Sequence, residues 1–128
     1  MGYYTWFKLD TKTPDPTVSV VDIANWIKEK NNKDEAFFYP FIDSVDEILS
    51  NKEGYENDHS IELEPYDEAK WYDYDKEMKE LSNAFPKVVF ELHGDGEESG
   101  DSWIAWYKGG KSVRHEAEIP PLDDDEFD

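Results

Sequence analysis

The last third of the chain carries the pattern that most restricts its fold. In Lys87–His93 the apolar residues Val88, Phe90 and Leu92 recur at every second position, a second strand-like stretch, rich in aromatic residues, covers Trp103–Lys108, and Gly109-Gly110 follows it directly. Alternation with a period of two is typical of β-strands, and a Gly-Gly pair is typical of a two-residue hairpin turn. The segment Lys111–Ile119 is then expected to pair back, so the sequence predicts an antiparallel sheet at this end.

The first half of the chain combines a strand with helices. Aromatic and β-favouring residues over Gly2–Leu9 predict a strand. Ser19, with Asp22 three residues later, forms a helix N-cap pattern. The apolar face of that helix is predicted to contain Val20, Ile23, Ala24 and Ile27. Ser44 and Glu47 make a second capping pattern, which predicts a short helical insertion over residues 36–53.

A further strand and helix complete the predicted fold. Ile61 and Leu63 alternate with glutamates, and an apolar stripe of helical spacing runs from Tyr74 to Phe85 and stops at Pro86. The order predicts an α+β fold with a ferredoxin-like split βαβ sheet that is mostly antiparallel, with helices packed on one face. We expect a single domain over residues 1–119 and an acidic, mobile tail over 120–128.

Charge is the strongest functional indication in this sequence. The 128 residues contain 32 Asp and Glu against 13 Lys and Arg, which gives a formal net charge of −19. Residues 53–101 alone carry 16 acids and 4 bases, whereas residues 102–115 carry three bases and no acid. Such a chain is a poor ligand for naked nucleic acid or an anionic membrane, because both require positive protein charge.

Part of the chain resembles a known family. The matching features are Lys70-Trp71, the run Leu81–Pro86, the strand Val88–Leu92, the segment Trp103–Tyr107 and Gly110-Lys111. Over about residues 66–115 these resemble the YubB-type ferredoxin-like domains found in small proteins of plasmids and phages, and the opening Met1–Thr5 is similar to that of many small phage proteins. The resemblance implies the fold and an origin in a mobile element, and it implies no catalytic residue.

Enzyme, cofactor and metal signatures are missing from the sequence. The chain has no Cys, no G-x-S-x-G motif and no H-x-x-x-H motif, and His59, His93 and His115 are scattered singly. We therefore predict a protein that is not an enzyme and has no cofactor and no metal site. The lack of Cys and of a long apolar segment is consistent with the cytoplasm, here the host cytoplasm if a phage encodes the chain.

The loop Gly94–Gly100 leaves two interpretations open. Its acids repel phosphate, which argues against nucleotide binding. Asp95, Glu97 and Asp101 offer oxygen ligands for a cation, but the spacing of an EF-hand loop is absent, so a hairpin loop with solvated acids is favoured.

The acids between residues 62 and 77 suggest how the protein acts. Carboxylates spaced along a sheet edge and a helix can imitate the phosphates of nucleic acid and occupy the basic cleft of another protein. Interleaved aromatic residues would serve as interface anchors. The predicted partner-binding residues are Glu62, Glu64, Asp67, Glu68, Trp71, Tyr72, Asp73, Asp75 and Glu77.

The resulting hypothesis is a phage or mobile-element protein that inhibits a basic host protein, such as a defence nuclease or another nucleic-acid-handling factor, by acting as a DNA mimic. The tail acids Asp123–Asp128 would contribute more weakly. The alternative is an accessory or structural phage protein that binds a partner through its aromatic C-terminal hairpin, with acidity serving only solubility. Alternation places Trp103, Ala105 and Tyr107 on one face of that hairpin and Ile104 and Trp106 on the other, and one face is expected to be core.

Overall fold

The computed structural model describes residues 4–65, 67–96 and 102–117. Its strands are β1 (Thr5–Thr13), β2 (Glu62–Leu63), β3 (Val89–Gly96), β4 (Ser102–Lys108) and β5 (Lys111–Ala117). Its helices are α1 (Val20–Lys33), α2 (Ile42–Ser50), α3 (Lys52–Tyr55) and α4 (Tyr74–Ala84), and a 3-10 turn over Tyr39–Phe41 leads into α2.

The five strands form one open sheet in the order β2-β1-β3-β4-β5, and each neighbouring pair is antiparallel. The predicted α+β class with an antiparallel sheet is therefore confirmed. The more specific ferredoxin-like topology is not confirmed by this order. The predicted hairpin is present, with Gly109 and Gly110 both in the left-handed region at φ 57° and 81°, where glycine is favoured over residues with a side chain.

The two faces of the sheet have different roles. One face is buried against α1, α2 and α4, and its side chains include Leu9, Phe90, Leu92 and Tyr107. The expectation that one face of the C-terminal hairpin is core is confirmed. The opposite face, here called the open face, is half-buried to exposed. Its residues are Trp6, Lys8, Asp10, Glu91, His93, Ile104, Trp106, Val113 and His115.

Helix α1 forms for the reasons that its sequence indicates. The Ser19 hydroxyl accepts a hydrogen bond from the Asp22 amide at 3.2 Å, and the Asp22 carboxylate accepts one from the Ser19 amide at 3.0 Å. This capping box satisfies two backbone donors that the helix leaves unpaired. The predicted apolar face is fully buried, and the helix continues to Lys33.

The helical insertion exists, but the predicted N-cap of its main helix is wrong. Helix α2 begins at Ile42, so Ser44 lies inside the helix rather than at its cap. The Ser44 hydroxyl instead donates to the Glu64 carbonyl at 2.6 Å and so ties α2 to the end of β2. The chain enters the insertion through Phe38, which adopts a left-handed backbone with φ 53°. Residues other than glycine rarely adopt this conformation, so it requires local contacts to hold it.

Glycine is required at position 94. Gly94 faces Trp103 across β3 and β4, and a Cβ atom at this position would lie well inside van der Waals contact with the indole ring. The ring is buried, stacks on Tyr74 at 4.9 Å between centroids, and lies under the Arg114 guanidinium at 4.5 Å. The indole therefore has little room to move away from an added methyl group.

We expect Gly94→Ala to lower the free energy of unfolding by about 2 kcal/mol, because overpacking a well-packed site costs about 1–3 kcal/mol. Gly54→Ala is the matched control, since its Cβ would meet only the flexible Asn51 side chain at 3.0 Å in a helix. We expect that control to be neutral or stabilising by up to about 1 kcal/mol. Urea unfolding followed by Trp fluorescence measures both, and equal losses in the two variants would contradict this packing.

Candidate functional site

The predicted partner-binding residues fall into three places in the structure. Glu62, Glu64, Asp67 and Glu68 lie on an exposed chain segment beside β1, here called the acidic edge. Tyr72, Asp73 and Asp75 lie at the start of α4 and are also exposed. Trp71 and Glu77 are only 3% and 7% exposed and belong to the interior, so a partner cannot reach them. We therefore remove Trp71 and Glu77 from the predicted partner-binding residues.

The acidic edge is held along β1 by backbone hydrogen bonds. The Thr11 amide donates to the Ile61 carbonyl at 3.0 Å, β2 pairs with Leu9 and Asp10, and Thr5 and Ala69 exchange two bonds of 2.9 Å. Beyond Pro65, Ala69 forms an isolated antiparallel bridge with Thr5. The edge segment therefore follows β1 from one end towards the other.

Alternating burial turns the carboxylates of this segment outward. Ile61, Leu63 and Pro65 are buried, whereas Glu62 and Glu64 between them are exposed. The Lys8 ammonium is 3.4 Å from the Glu62 carboxylate and 3.5 Å from that of Glu64. The negative charges of Asp10 and then Glu62 raise the pKa of Lys8, so this lysine stays charged and partly neutralises one end of the acidic edge.

A groove of about 370 Å³ borders the acidic edge. Its carboxylates come from Glu47 on α2, Asp58 in the loop after α3, and Glu62 and Glu64, and none of the described Lys or Arg residues lines it. The sequence did not indicate Glu47 and Asp58 as site residues. Glu47 is distant in sequence from the cluster, and the packing of α2 against the end of β2 brings it there, whereas Asp58 lies four residues before Glu62.

Trp71 is the centre of the aromatic core. Its ring lies 4.9 Å from Phe38, 5.3 Å from Phe7, 5.4 Å from Phe41 and 6.2 Å from Tyr74, measured between centroids. Edge-on and tilted pairs of this kind each add about 0.5–1.5 kcal/mol to the burial of the rings. Trp71 therefore fixes the far end of the acidic edge instead of contacting a partner.

Glu77 is a buried carboxylate with a structural role. Its Oε1 accepts hydrogen bonds from the Phe38 amide at 2.6 Å and from Trp71 Nε1 at 3.0 Å. Burial raises the pKa of Glu77, and these two bonds oppose that shift only in part. The carboxylate thereby joins α4 to the left-handed residue of the insertion and to the aromatic core.

Asp75 is exposed but already engaged. Its carboxylate accepts a hydrogen bond from the Tyr107 hydroxyl at 3.0 Å and pairs with the Lys79 ammonium at 2.9 Å. Burial, followed by this bond to Asp75, raises the pKa of Tyr107. Asp75 therefore fastens α4 to β4, whereas Tyr72 is 66% exposed and remains accessible for contact.

A second cluster, which the sequence analysis did not identify, lies on the open face. Asp10, Glu91 and His93 each offer a ligand atom, and these atoms lie within 4.8 Å of one another. Among the described residues this is the one group of at least three His, Asp or Glu with such spacing. Glu91 and His93 are two residues apart on a predicted strand, which places them on one face, but the addition of Asp10 depends on the pairing of β1 with β3.

The loop and tail predictions lie largely outside the described residues. Asp95 is described, sits in β3, and accepts a hydrogen bond from the Ser102 hydroxyl at 2.7 Å. Glu97, Asp101 and the tail acids Asp123–Asp128 are not among the described residues.

Within the described ranges, the structure contains no helix that is both long enough and apolar enough to cross a bilayer. No family model, curated protein or solved structure matches this chain.

Substitution of the buried Glu77 tests whether this residue is structural. We expect Glu77→Gln to change stability by less than about 1 kcal/mol at neutral pH, because the amide oxygen can accept the same two bonds. Glu77→Ala leaves two buried donors without a partner and should cost about 3 kcal/mol. Chemical unfolding of the three proteins measures this difference. A harmless Glu77→Ala variant would show that Glu77 is not a structural residue.

The stability difference between wild type and Glu77→Gln should depend on pH, in the direction that the pKa shift of Glu77 sets. The pKa of Glu77 is raised in the folded state. At a pH between the unfolded and the folded pKa, the native protein therefore binds more protons than the unfolded chain. Its stability therefore falls as the pH rises through the folded pKa. We expect wild type to gain stability relative to Glu77→Gln as the pH falls from about 7 to about 5. A difference that stays constant with pH would contradict the shift.

Proposed function

We propose that this protein is a non-enzymatic inhibitor from a phage or another mobile element, and that it binds a basic host protein through the acidic edge. The partner is a nucleic-acid-handling protein, such as a defence nuclease, whose cleft the carboxylates occupy in place of phosphates. The observation that carries this proposal is the exposed row Glu62, Glu64, Asp67 and Glu68 beside β1.

The spacing of these charges supports mimicry. The edge segment accompanies β1 from Thr11 to Thr5, which is about 20 Å at about 3.4 Å per residue. Four carboxylates over this length give one charge per about 5 Å, against one phosphate per about 3.4 Å along a DNA strand. The edge is therefore a less dense array of the same sign and linear form.

The groove beside the edge widens this array. Glu47 and Asp58 add two carboxylates to the lining of this groove, so charge is presented in a concave surface as well as along a line. A basic side chain that enters the groove would meet carboxylates from several elements. A field of this kind accelerates association with a positively charged partner and weakens as salt increases.

A specific observation favours the alternative function. The open face carries Trp6 and Val113, which are 39% and 58% exposed, together with the half-buried Ile104 and Trp106. Exposed apolar residues on one sheet face are a common basis for protein contact. In this alternative the protein is an accessory or structural phage protein, and its acidity serves only solubility.

The ferredoxin-like interpretation belongs to the same proposal. What supports it is the β2-α4-β3 unit, because β2 and β3 both pair antiparallel with β1 and so run in the same direction on either side of it. This is the arrangement of a split βαβ unit. The proposed mobile-element origin depends on the sequence resemblance alone.

We expect the triple variant Glu62→Gln, Glu64→Gln and Glu68→Gln to lose capture of DNA-binding proteins from a bacterial lysate. The matched control is Glu29→Gln, Glu35→Gln and Glu80→Gln, which removes the same number of exposed charges elsewhere. Capture by wild type and by the control should be reversed by duplex DNA and by salt. For a purified partner, the edge variant should associate about tenfold more slowly.

Two outcomes of this experiment decide against mimicry. If the two triple variants lose capture equally, the acids act as a diffuse coat rather than as an array. The second outcome is capture that is insensitive to salt and is lost in the double variant Trp6→Ser plus Val113→Ser. In that case the aromatic open face is the interface and the alternative function is correct.

A further inference from the structure

The Asp10, Glu91 and His93 cluster has the chemistry of a metal site, and its place in the sheet explains why. Asp10 and Glu91 are directly paired across β1 and β3, and His93 follows Glu91 by two residues on the same face. All three side chains are half-buried on the open face, and Asp10 is also paired across β1 and β2 with Glu62 of the acidic edge. The sheet register therefore fixes the relative positions of their backbones.

The distances within the cluster match those between ligands of one ion. His93 Nε2 is 3.1 Å from Glu91 Oε2 and 3.8 Å from Asp10 Oδ2. Two ligands that each lie about 2.1 Å from a tetrahedral ion are about 3.4 Å apart, and the two observed distances lie on either side of that value. A single ion beside His93 Nε2 can thus contact a carboxylate oxygen from each strand.

A neighbouring side chain orients one of the ligands. Trp106 Nε1 donates to Glu91 Oε1 at 2.9 Å, which directs the other oxygen, Oε2, towards His93. Metal-ligating carboxylates are commonly held by outer hydrogen bonds of this kind. Burial pushes the pKa of Glu91 upward, but the hydrogen bonds from His93 and Trp106 outweigh it and leave the pKa below its usual value.

We propose that Asp10, Glu91 and His93 form a binding site for a divalent transition-metal ion, with Zn²⁺ as the reference ion. One imidazole and two carboxylates form a mixed nitrogen and oxygen donor set, which suits zinc and its neighbours, whereas Ca²⁺ and Mg²⁺ favour oxygen ligands alone. Three protein ligands leave a fourth position open to solvent. The proposed site uses no carboxylate of the acidic edge as a ligand and does not require the proposed inhibitor function.

The competing explanation for the same contacts is an ion pair. A protonated His93 would be attracted to both carboxylates without any metal, and Lys8 and Lys12 add positive charge nearby. Metal binding and His93 protonation compete for the same Nε2 atom, so titration with a metal distinguishes the two explanations.

The test is titration of the whole protein with Zn²⁺ in isothermal calorimetry at neutral pH, with Ca²⁺ in large excess to saturate the other acids. We expect one equivalent to bind to wild type and to His115→Gln, the control histidine on the same face. His93→Gln should bind more than about 100-fold more weakly, and Trp106→Phe, which removes the hydrogen bond to Glu91 and no ligand, about 10-fold more weakly. Binding of Co²⁺, followed by its visible absorption, should rank the affinities of these four proteins in the same order.

Either of two results would overturn the proposal. One is Zn²⁺ binding by His93→Gln that equals that of wild type. The other is the loss of one-equivalent binding in excess Ca²⁺, with weak binding of several equivalents seen only when Ca²⁺ is omitted, which would identify diffuse association with surface carboxylates. Thermal unfolding of each variant without metal confirms that it is folded, so a loss of binding cannot be attributed to a loss of structure.

Discussion

The burial of Trp71 is the interaction on which the rest of this structure depends. Its ring packs among Phe7, Phe38, Phe41 and Tyr74, and its indole N–H reaches the buried Glu77 carboxylate. Trp71 lies at the end of the acidic edge, and its hydrogen bond to Glu77 joins this segment to α4. The same Glu77 oxygen holds the insertion through the Phe38 amide. Because the segment is fixed at this end by Trp71 and is bonded to β1 at Ile61–Leu63 and again at Ala69, its backbone is held on both sides of the acidic residues.

Excess negative charge is organised by a few fixed contacts. Lys8 lies on the open face and links it to the acidic edge, since it pairs with Glu62 and Glu64 while the charge of nearby Asp10 raises its pKa. Asp75 is engaged by Lys79 and by a tyrosine hydroxyl. Acids held in this way stabilise the fold, whereas the remaining exposed acids repel one another and favour an oppositely charged partner. The distinction between structural and available carboxylates depends on contacts and not on the local density of acids.

Sequence patterns predicted those elements whose causes are local. The capping box at Ser19 and the alternation before Gly109 are short-range features, and both elements formed as expected. The start of α2 was mispredicted because Ser44 bonds to a carbonyl 20 residues away. Glu77 was grouped with the exposed acids because its burial depends on distant partners. The Asp10 cluster requires strand register, which no motif in this chain encodes.

The central claim is that the acidic edge is an ordered array, and amide hydrogen exchange of the free protein tests it most directly. The Ile61 amide donates to the Thr11 hydroxyl at 2.8 Å, the Ala69 amide to the Thr5 carbonyl at 2.9 Å, and the Lys70 amide to the Tyr39 hydroxyl at 2.9 Å. The account predicts that these three amides exchange slowly, on the scale of the amides within β1. Exchange at the rate of an unstructured peptide at all three, while β3 and β4 stay protected, would contradict it.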